Sequence, residues 1–425
     1  SSTSRGLGDV YKRQIMGKAI GPICNLDCTY CYYLSTAEFY ARPHQFRMSD
    51  EMLETYVRQY IEASPGPVVH FGWHGGEPTL AGVDFYRRAV ELQRQYLPEG
   101  WTCWNNLQTN GTLLDEAWCA FLAEANFDVG ISVDGTRLLH DASRKDHQGE
   151  GTYDRVVRSV KLLQAHGIQP DLLCTVTEAI AQEPLSVYQA LRELGTGWMQ
   201  FIPIIIKGPE GQAIGQSVSP ASYGRFLNTI FDAWMHQDIG RLNVQFFAEI
   251  LNVWGGGEAH VCWLRETCGR VLVVEHDGAV YSCDHFVSPQ HRLGDLGTAH
   301  LGDLVDLPVQ QAFGLHKRDG LPEQCRACPW LAVCSGGCPK DRIAVTAEGE
   351  PGLNYLCDGL RQFYAHVEEP AKHVIKRIRA GAPAATVMSE LRTFSRLRWD
   401  GIGRNDPCIC GSGRKAKACC WAQRP

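Results

Sequence analysis

Val68-Val-His-Phe-Gly-Trp73 reads as a short strand, His74-Gly75-Gly76-Glu77-Pro78 turns the chain after it, and Val83–Tyr96 then places apolar residues at helical spacing. The same order of strand, turn and helix recurs on both sides. Further strands are expected over Thr102–Gln108, Phe127–Val133, Asp171–Val176 and Met199–Ile206, with a first one just before Cys24. Helical stretches are expected over Asp50–Glu62, Asp115–Glu124, Tyr153–His166 and Pro184–Leu194, and Gly-rich turns at Asn110-Gly111 and Asp134-Gly135. Six such repeats imply an α/β fold, a parallel sheet with helices outside, curled into a partial (β/α)6 barrel. Functional residues in such folds gather at the C-terminal ends of the strands.

The barrel accounts for residues 15–215 of a 425-residue chain. Residues 1–14 carry no apolar period and are expected to be non-native or disordered, so they stay outside the fold argument. A Gly/Pro/Gln-rich linker at Gly208–Gly215 ends the repeats, and residues 220–255 read as helix within a helical linker, 216–259. A Cys- and Gly-rich domain is expected over 260–370, a helical, basic linker over 371–400 broken near Gly381–Pro383, and a small module over 401–425. Apolar runs such as Phe201–Ile206 fall far short of the roughly 20 residues that span a bilayer. A net charge of −6 over this length offers no field for nucleic acid. The outlier is 18 cysteines. With no export signal and a chain too large to need disulfide staples, clustered thiols point to a cytoplasmic metalloprotein.

Cys24-Asn-Leu-Asp-Cys28-Thr-Tyr-Cys31 puts three thiols on one short loop. Three thiolates can ligate three irons of a [4Fe–4S] cube and leave the fourth open to a small molecule. Three-quarters of a zinc site is the alternative, but no fourth Cys or His lies at zinc-finger distance. The spacing resembles the signature of radical S-adenosylmethionine enzymes, and the text CNLDCTYCYYL is close to the sulfatase-maturase branch of that family. The resemblance implies that S-adenosylmethionine binds the open iron. It also implies that Tyr30 presents its ring to the adenine, and that Gly75, Gly76 and Glu77 cradle the methionine part, Glu77 accepting from its ammonium. Ser132 and Arg144 match places where relatives contact the ribose and carboxylate. Core packing for Tyr30, a ligand-free turn at Glu77 and a loop carboxylate partner for Arg144 are the structural alternatives. His70 and His74 form HxxxH on a strand and turn, where packing or hydrogen bonding fits better than zinc.

Cys268, Cys283, Cys325, Cys328, Cys334, Cys338 and Cys357 resemble the seven-cysteine pattern of the SPASM domain appended to radical enzymes that modify peptides, and Cys262 supplies an eighth thiol. Eight thiolates complete two four-thiolate sites, iron–sulfur clusters or, alternatively, zinc ribbons. The resemblance assigns Cys262, Cys268, Cys283 and Cys338 to one cluster and Cys325, Cys328, Cys334 and Cys357 to the other. Asp284 matches the aspartate proposed as the base in sulfatase maturases. A carboxylate beside a cluster is expected to have a raised pKa, as that duty wants; the alternative is an Asp closing a turn. Cys408, Cys410, Cys419 and Cys420 resemble the SEC-C motif, a small zinc module, with Arg404, Arg414, Lys415 and Lys417 as a basic patch. Cys103, Cys119 and Cys174 remain and read as buried apolar residues.

The resemblance covers about residues 15–365 and 403–420. It implies an anaerobic enzyme with three [4Fe–4S] clusters, S-adenosylmethionine and Zn2+ at the last module. An external donor such as a flavodoxin or ferredoxin would reduce the first cluster. Cleavage of the cofactor to methionine and a 5′-deoxyadenosyl radical would then oxidise a Cys or Ser in an unfolded sulfatase polypeptide, in a Cys/Ser-x-Pro-x-Arg segment, to Cα-formylglycine. Another peptide-modifying radical enzyme of the same architecture is the nearest alternative, and a non-catalytic metal-binding adaptor a more distant one. No nucleic acid or membrane partner is expected.

Overall fold

The computed structural model describes residues 14–40, 46–399, 402–406, 415–418 and 421. Six parallel strands form the expected wall: β1 (Gln14–Gly17), β2 (Val68–Trp73), β3 (Thr102–Thr109), β4 (Asp128–Ser132), β5 (Asp171–Val176) and β6 (Trp198–Pro203), paired in chain order. Helices α1 (Asp50–Ala63), α2 (Val83–Tyr96), α3 (Glu116–Glu124), α4 (Arg137–Ser143), α5 (Tyr153–Ala165), α6 (Glu178–Ala181) and α7 (Pro184–Glu193) connect them. Local sequence starts some of these helices. Ser49 caps α1 by accepting from Met52 N at 3.2 Å, and Asp115 caps α3 by accepting from Trp118 N at 2.9 Å.

Several boundaries differ from the sequence reading. β1 begins at Gln14 and ends at Gly17, so it does not abut Cys24; residues 18–23 bridge the gap. The expected linker holds a hairpin, β7 (Ile206–Lys207) with β8 (Ala213–Ile214), turned at Gly211 with φ +81°. The single helix read over 220–255 is two, α8 (Pro220–Gln237) and α9 (Gln245–Trp254). They are separated by β9 (Asn243–Val244), which adds to β6.

The larger difference lies in the Cys-rich segment, whose lack of periodicity hides three strands that join the main sheet, besides a short hairpin of Ala344–Val345 with Pro351–Leu353. β10 (Val271–Val274) pairs parallel with β1, and β11 (Ala279–Tyr281) and β12 (Arg292–Asp295) follow antiparallel. The result is one ten-stranded sheet in the order β12-β11-β10-β1-β2-β3-β4-β5-β6-β9. β10 escapes an alternation test because Leu272, Val273 and Val274 are all buried, as a strand covered on both faces requires. This join places the residues after β11 beside those after β1.

The core under β1 is aromatic. Tyr56 and Tyr60 of α1 grip the strand: Tyr56 donates to Ile15 O at 3.1 Å, and Ile15 N donates to the Tyr60 hydroxyl at 3.1 Å. Tyr56 meets Trp73 edge to face at 5.7 Å, and Trp73 meets Tyr86 at 5.4 Å. Among the described residues no helix is long and apolar enough to cross a membrane.

Candidate active site

The loop Cys24–Cys31 is tied down along its length. Asp27 N donates to Lys145 O at 2.8 Å, Thr29 N to Ser143 O at 3.1 Å and Cys31 N to Cys28 O at 3.0 Å. Asn110, just after β3, donates to Asn25 Oδ1 at 2.9 Å and to Cys24 Sγ at 3.7 Å. All three cysteines are free thiols. Burial pushes Cys24 up to about 12 and Cys28 up to about 11. Without a cation these groups stay protonated, whereas bound iron stabilises the thiolate form. Three convergent thiols fixed by backbone bonds fit the cluster that the spacing implies.

The turn after β2 is shaped against this loop's approach. Gly76 N donates to Gly21 O and Glu77 N to Ile23 O, both at 2.8 Å. A Cβ on Gly76 would lie 2.0 Å from Ile23 O, so the space a side chain would take is filled by the chain's own backbone. Gly76→Ala is therefore expected to dislodge residues 21–23 and with them the loop. Iron per chain should drop by about four; a variant with full iron content would show that the backbone yields without cost.

Glu77 is fully buried. Its Oε1 accepts from Thr79 N at 3.0 Å, Thr79 Oγ1 at 2.5 Å and Thr109 Oγ1 at 2.7 Å, and its Oε2 from Asn110 N at 2.7 Å. The carboxylate thus caps its own turn and locks the ends of β2 and β3 together. Beyond β4, Asp134 accepts from Arg144 Nε at 2.9 Å, from Thr175 N at 2.9 Å and from the Tyr30 hydroxyl. Arg144 thereby has a loop carboxylate partner, and its guanidinium lies 5.5 Å from the Tyr30 ring centre. Ser132 accepts from Gln108 Nε2 at 3.3 Å. His70 packs its ring 5.2 Å from Trp104.

Asp284 meets two groups that the sequence reading passed over. Its Oδ1 contacts the ammonium of Lys18, and its Oδ2 accepts from the Tyr32 hydroxyl at 2.7 Å. Lys18 follows β1 and is fully buried. Its Nζ also lies 3.1 Å from His74 Nδ1 and 4.4 Å from the Tyr33 ring centre. The expectation of a raised Asp284 pKa is corrected here. Burial alone would raise it, but the Lys18 ammonium, joined by His74 and His285 only at a pH low enough to protonate their rings, outweighs burial and holds the carboxyl below its ordinary range. Burial, then Lys18, takes His74 down to about 4, so its ring stays neutral and Nδ1 can accept from the ammonium. A lone Lys directly after the apolar run Ile15-Met-Gly17 was the available signal for Lys18.

Cys325, Cys328, Cys334 and Cys357 line one pocket together with Trp330, Leu360 and Tyr364. Cys262, Cys283 and Cys338 are close enough to raise one another's pKa, as are Cys262 and Cys268. Among the described residues no three His, Cys, Asp or Glu close around a point as a single ion would need. Cys408, Cys410, Cys419 and Cys420, and the segment 1–13, lie outside the described residues.

Cysteines on the loop ahead of β2, strand ends aimed at them and a second cysteine field joined to the sheet define a radical S-adenosylmethionine enzyme. Residues 19–180 match the radical SAM superfamily, 262–329 the SPASM iron–sulfur cluster-binding domain and 404–422 the SEC-C motif. The chain belongs to the anaerobic sulfatase-maturating enzymes. It is 39% identical to the serine-type enzyme of Bacteroides thetaiotaomicron over 90% of this chain and 95% of the relative. It is 33% identical to the cysteine-type enzyme of Clostridium perfringens over 81% and 93%. The solved structure of native anSMEcpe with bound AdoMet superposes with a TM-score of 0.78 at 32% identity, covering 86% of this chain and 99% of that one.

Proposed function

We propose that this chain oxidises the side chain of a cysteine or serine in an unfolded sulfatase segment to Cα-formylglycine. The observation that carries the reading is the contact of Asp284, from the Cys-rich segment, with Lys18 beyond β1 and with Tyr32 beside the last loop cysteine. The rearranging group of the substrate would sit there, between a proton acceptor and the cluster loop. Cys24, Cys28 and Cys31 hold the first cluster. Tyr30, Gly75, Gly76, Glu77, Ser132 and Arg144 shape the S-adenosylmethionine cradle, Arg144 and Tyr30 through their shared partner Asp134. Cys262, Cys268, Cys283 and Cys338 hold a second cluster, and Cys325, Cys328, Cys334 and Cys357 a third. When bound, S-adenosylmethionine at the first cluster supplies the oxidant for the substrate Cβ–H, and the other clusters take the electron that remains.

The chain's own part is to orient and deprotonate. Cβ loses a hydrogen atom, the side-chain S–H or O–H loses a proton to Asp284, and one electron leaves. The carbon–sulfur or carbon–oxygen double bond forms with that balance. A thioaldehyde then takes up water and releases hydrogen sulfide; serine gives the aldehyde directly. Lys18 keeps Asp284 ionised, which leaves an oxygen able to accept but lowers its basicity, and Tyr32 fixes the orientation of its second oxygen. An external flavodoxin or ferredoxin is the proposed reductant, the cytoplasm the proposed site of action, and Zn2+ the ion for Cys408, Cys410, Cys419 and Cys420.

Anaerobic incubation with S-adenosylmethionine, reductant and a Cys-x-Pro-x-Arg or Ser-x-Pro-x-Arg peptide, read by mass, tests the reading. Formylglycine supports it. A crosslinked or epimerised product would assign the chain to another peptide-modifying reaction, and an unchanged peptide with uncleaved cofactor would leave an adaptor. The last module is expected to be separable. The helix Ala384–Trp399 already buries Val387, Met388 and Leu391, so truncation after Leu397 keeps its packed part. The truncated chain should lose one zinc, measured by metal analysis, and still oxidise a short peptide; loss of that activity would put the module in the active site.

A further inference from the structure

The Cys-rich segment holds one buried and one half-buried cation that have no carboxylate partner among the described residues. Lys317, on the helix Pro308–Asp319, is fully buried, and its ammonium donates to the carbonyl of Arg265, midway between Cys262 and Cys268. Arg342 donates from Nη2 to Ser335 O at 3.1 Å and from Nε to Gly336 O at 3.1 Å, within the turn that joins Cys334 to Cys338. Its Nη1 donates to Lys317 O at 2.6 Å, which ties the two together. On the first side, Gln310 from the same helix donates to Gly269 O at 2.8 Å and Ser282 O at 3.2 Å, next to Cys268 and Cys283. The pair therefore sits on the backbone between the two sets of four cysteines.

An unpaired buried cation is costly unless a negative charge compensates it. Burial, with Arg342 adding to it, lowers Lys317 to about 8, and the groups opposing that shift are Cys268, Cys262 and Cys338. For Arg342 the opposing groups are Cys325, Cys338, Cys268 and Cys334. Each cation thus lies near thiols that become thiolates only when iron is bound, and Arg342 lies near members of both sets.

We propose that Lys317 and Arg342 are positioning residues whose charge offsets two anionic thiolate-ligated clusters and raises their reduction potential, so that they can take the electron leaving the substrate. The inference rests on the two four-cysteine sites holding iron–sulfur clusters. Cluster potential follows net charge, hydrogen bonding and exposure, and a fixed cation in a low-dielectric interior acts on the first of these. The electron balance is one for one: the substrate radical is oxidised by one electron and an oxidised four-iron cluster is reduced by one.

The test uses the full chain with Cys24, Cys28 and Cys31 replaced by Ala, so that the remaining signals come from the other clusters. Iron and sulfide are counted first, and the clusters are then titrated with a reductant of set potential and followed by electron paramagnetic resonance. With iron unchanged, Lys317→Gln and Arg342→Gln should each lower the reduced-to-oxidised ratio at a given potential by about tenfold. Lys317→Arg and Arg342→Lys should stay close to the parent. Unmoved potentials at full iron content overturn the inference. If both Gln variants lose iron while the charge-keeping ones retain it, the charge holds the clusters in place rather than setting their potential, and the inference is overturned. Loss from all four variants makes the pair merely structural and overturns it. An iron-free parent would instead overturn the cluster reading itself.

Discussion

Replacing Cys24, Cys28 and Cys31 by Ala is expected to abolish cleavage of S-adenosylmethionine and to remove about four of about twelve irons. The loop is proposed to leave an iron open, because its three thiols would serve a cube with four corners. The eight cysteines from Cys262 to Cys357 are proposed to form two sets of four, and among the described residues none of them is hydrogen-bonded to the loop. The remaining irons should therefore stay, and the protein should remain brown. The measurements are iron and sulfide content, the visible spectrum and the yield of 5′-deoxyadenosine. Loss of all iron would mean that the three sites assemble as one unit. A colourless parent protein carrying zinc throughout would sink the enzyme reading altogether.

The parallel wall is legible in the sequence because each strand and helix has a local signal: β2, β5 and α2 fall where the residue pattern puts them. β10 is not legible, since Val271–Val274 is short, uniformly apolar and paired with a strand more than 250 residues away. Ligand cysteines are legible because spacing is itself the signal. Side-chain roles are less so. Nothing in His74-Gly-Gly-Glu77 reveals that Glu77 satisfies Thr79, Thr109 and Asn110, which come from two separate turns. The same holds for Asp284. Its neighbour Cys283 suggests a carboxylate with a raised pKa, but the outcome depends on Lys18 and His74, which only folding brings to it.

That pairing bears directly on what Asp284→Asn should do. Cofactor cleavage needs the first cluster, its ligands and an electron, none of which involves residue 284, so the variant should still yield 5′-deoxyadenosine. Asn is nearly isosteric and can still accept from the Tyr32 hydroxyl, but it cannot take up a proton at neutral pH. It also leaves the buried Lys18 ammonium without its countercharge, with His74 Nδ1 as the remaining acceptor. Formylglycine yield should fall by roughly the 10²–10⁴-fold that positioned acid–base groups contribute. Cleavage would then run uncoupled from product, a signature that a loss of cluster or of fold does not produce. Wild-type product formation would reduce Asp284 to a partner for Lys18 and a closer of its own turn. Loss of iron alongside activity would give it a structural role beside Cys283 and leave the proton acceptor to be found among the other groups facing Tyr32.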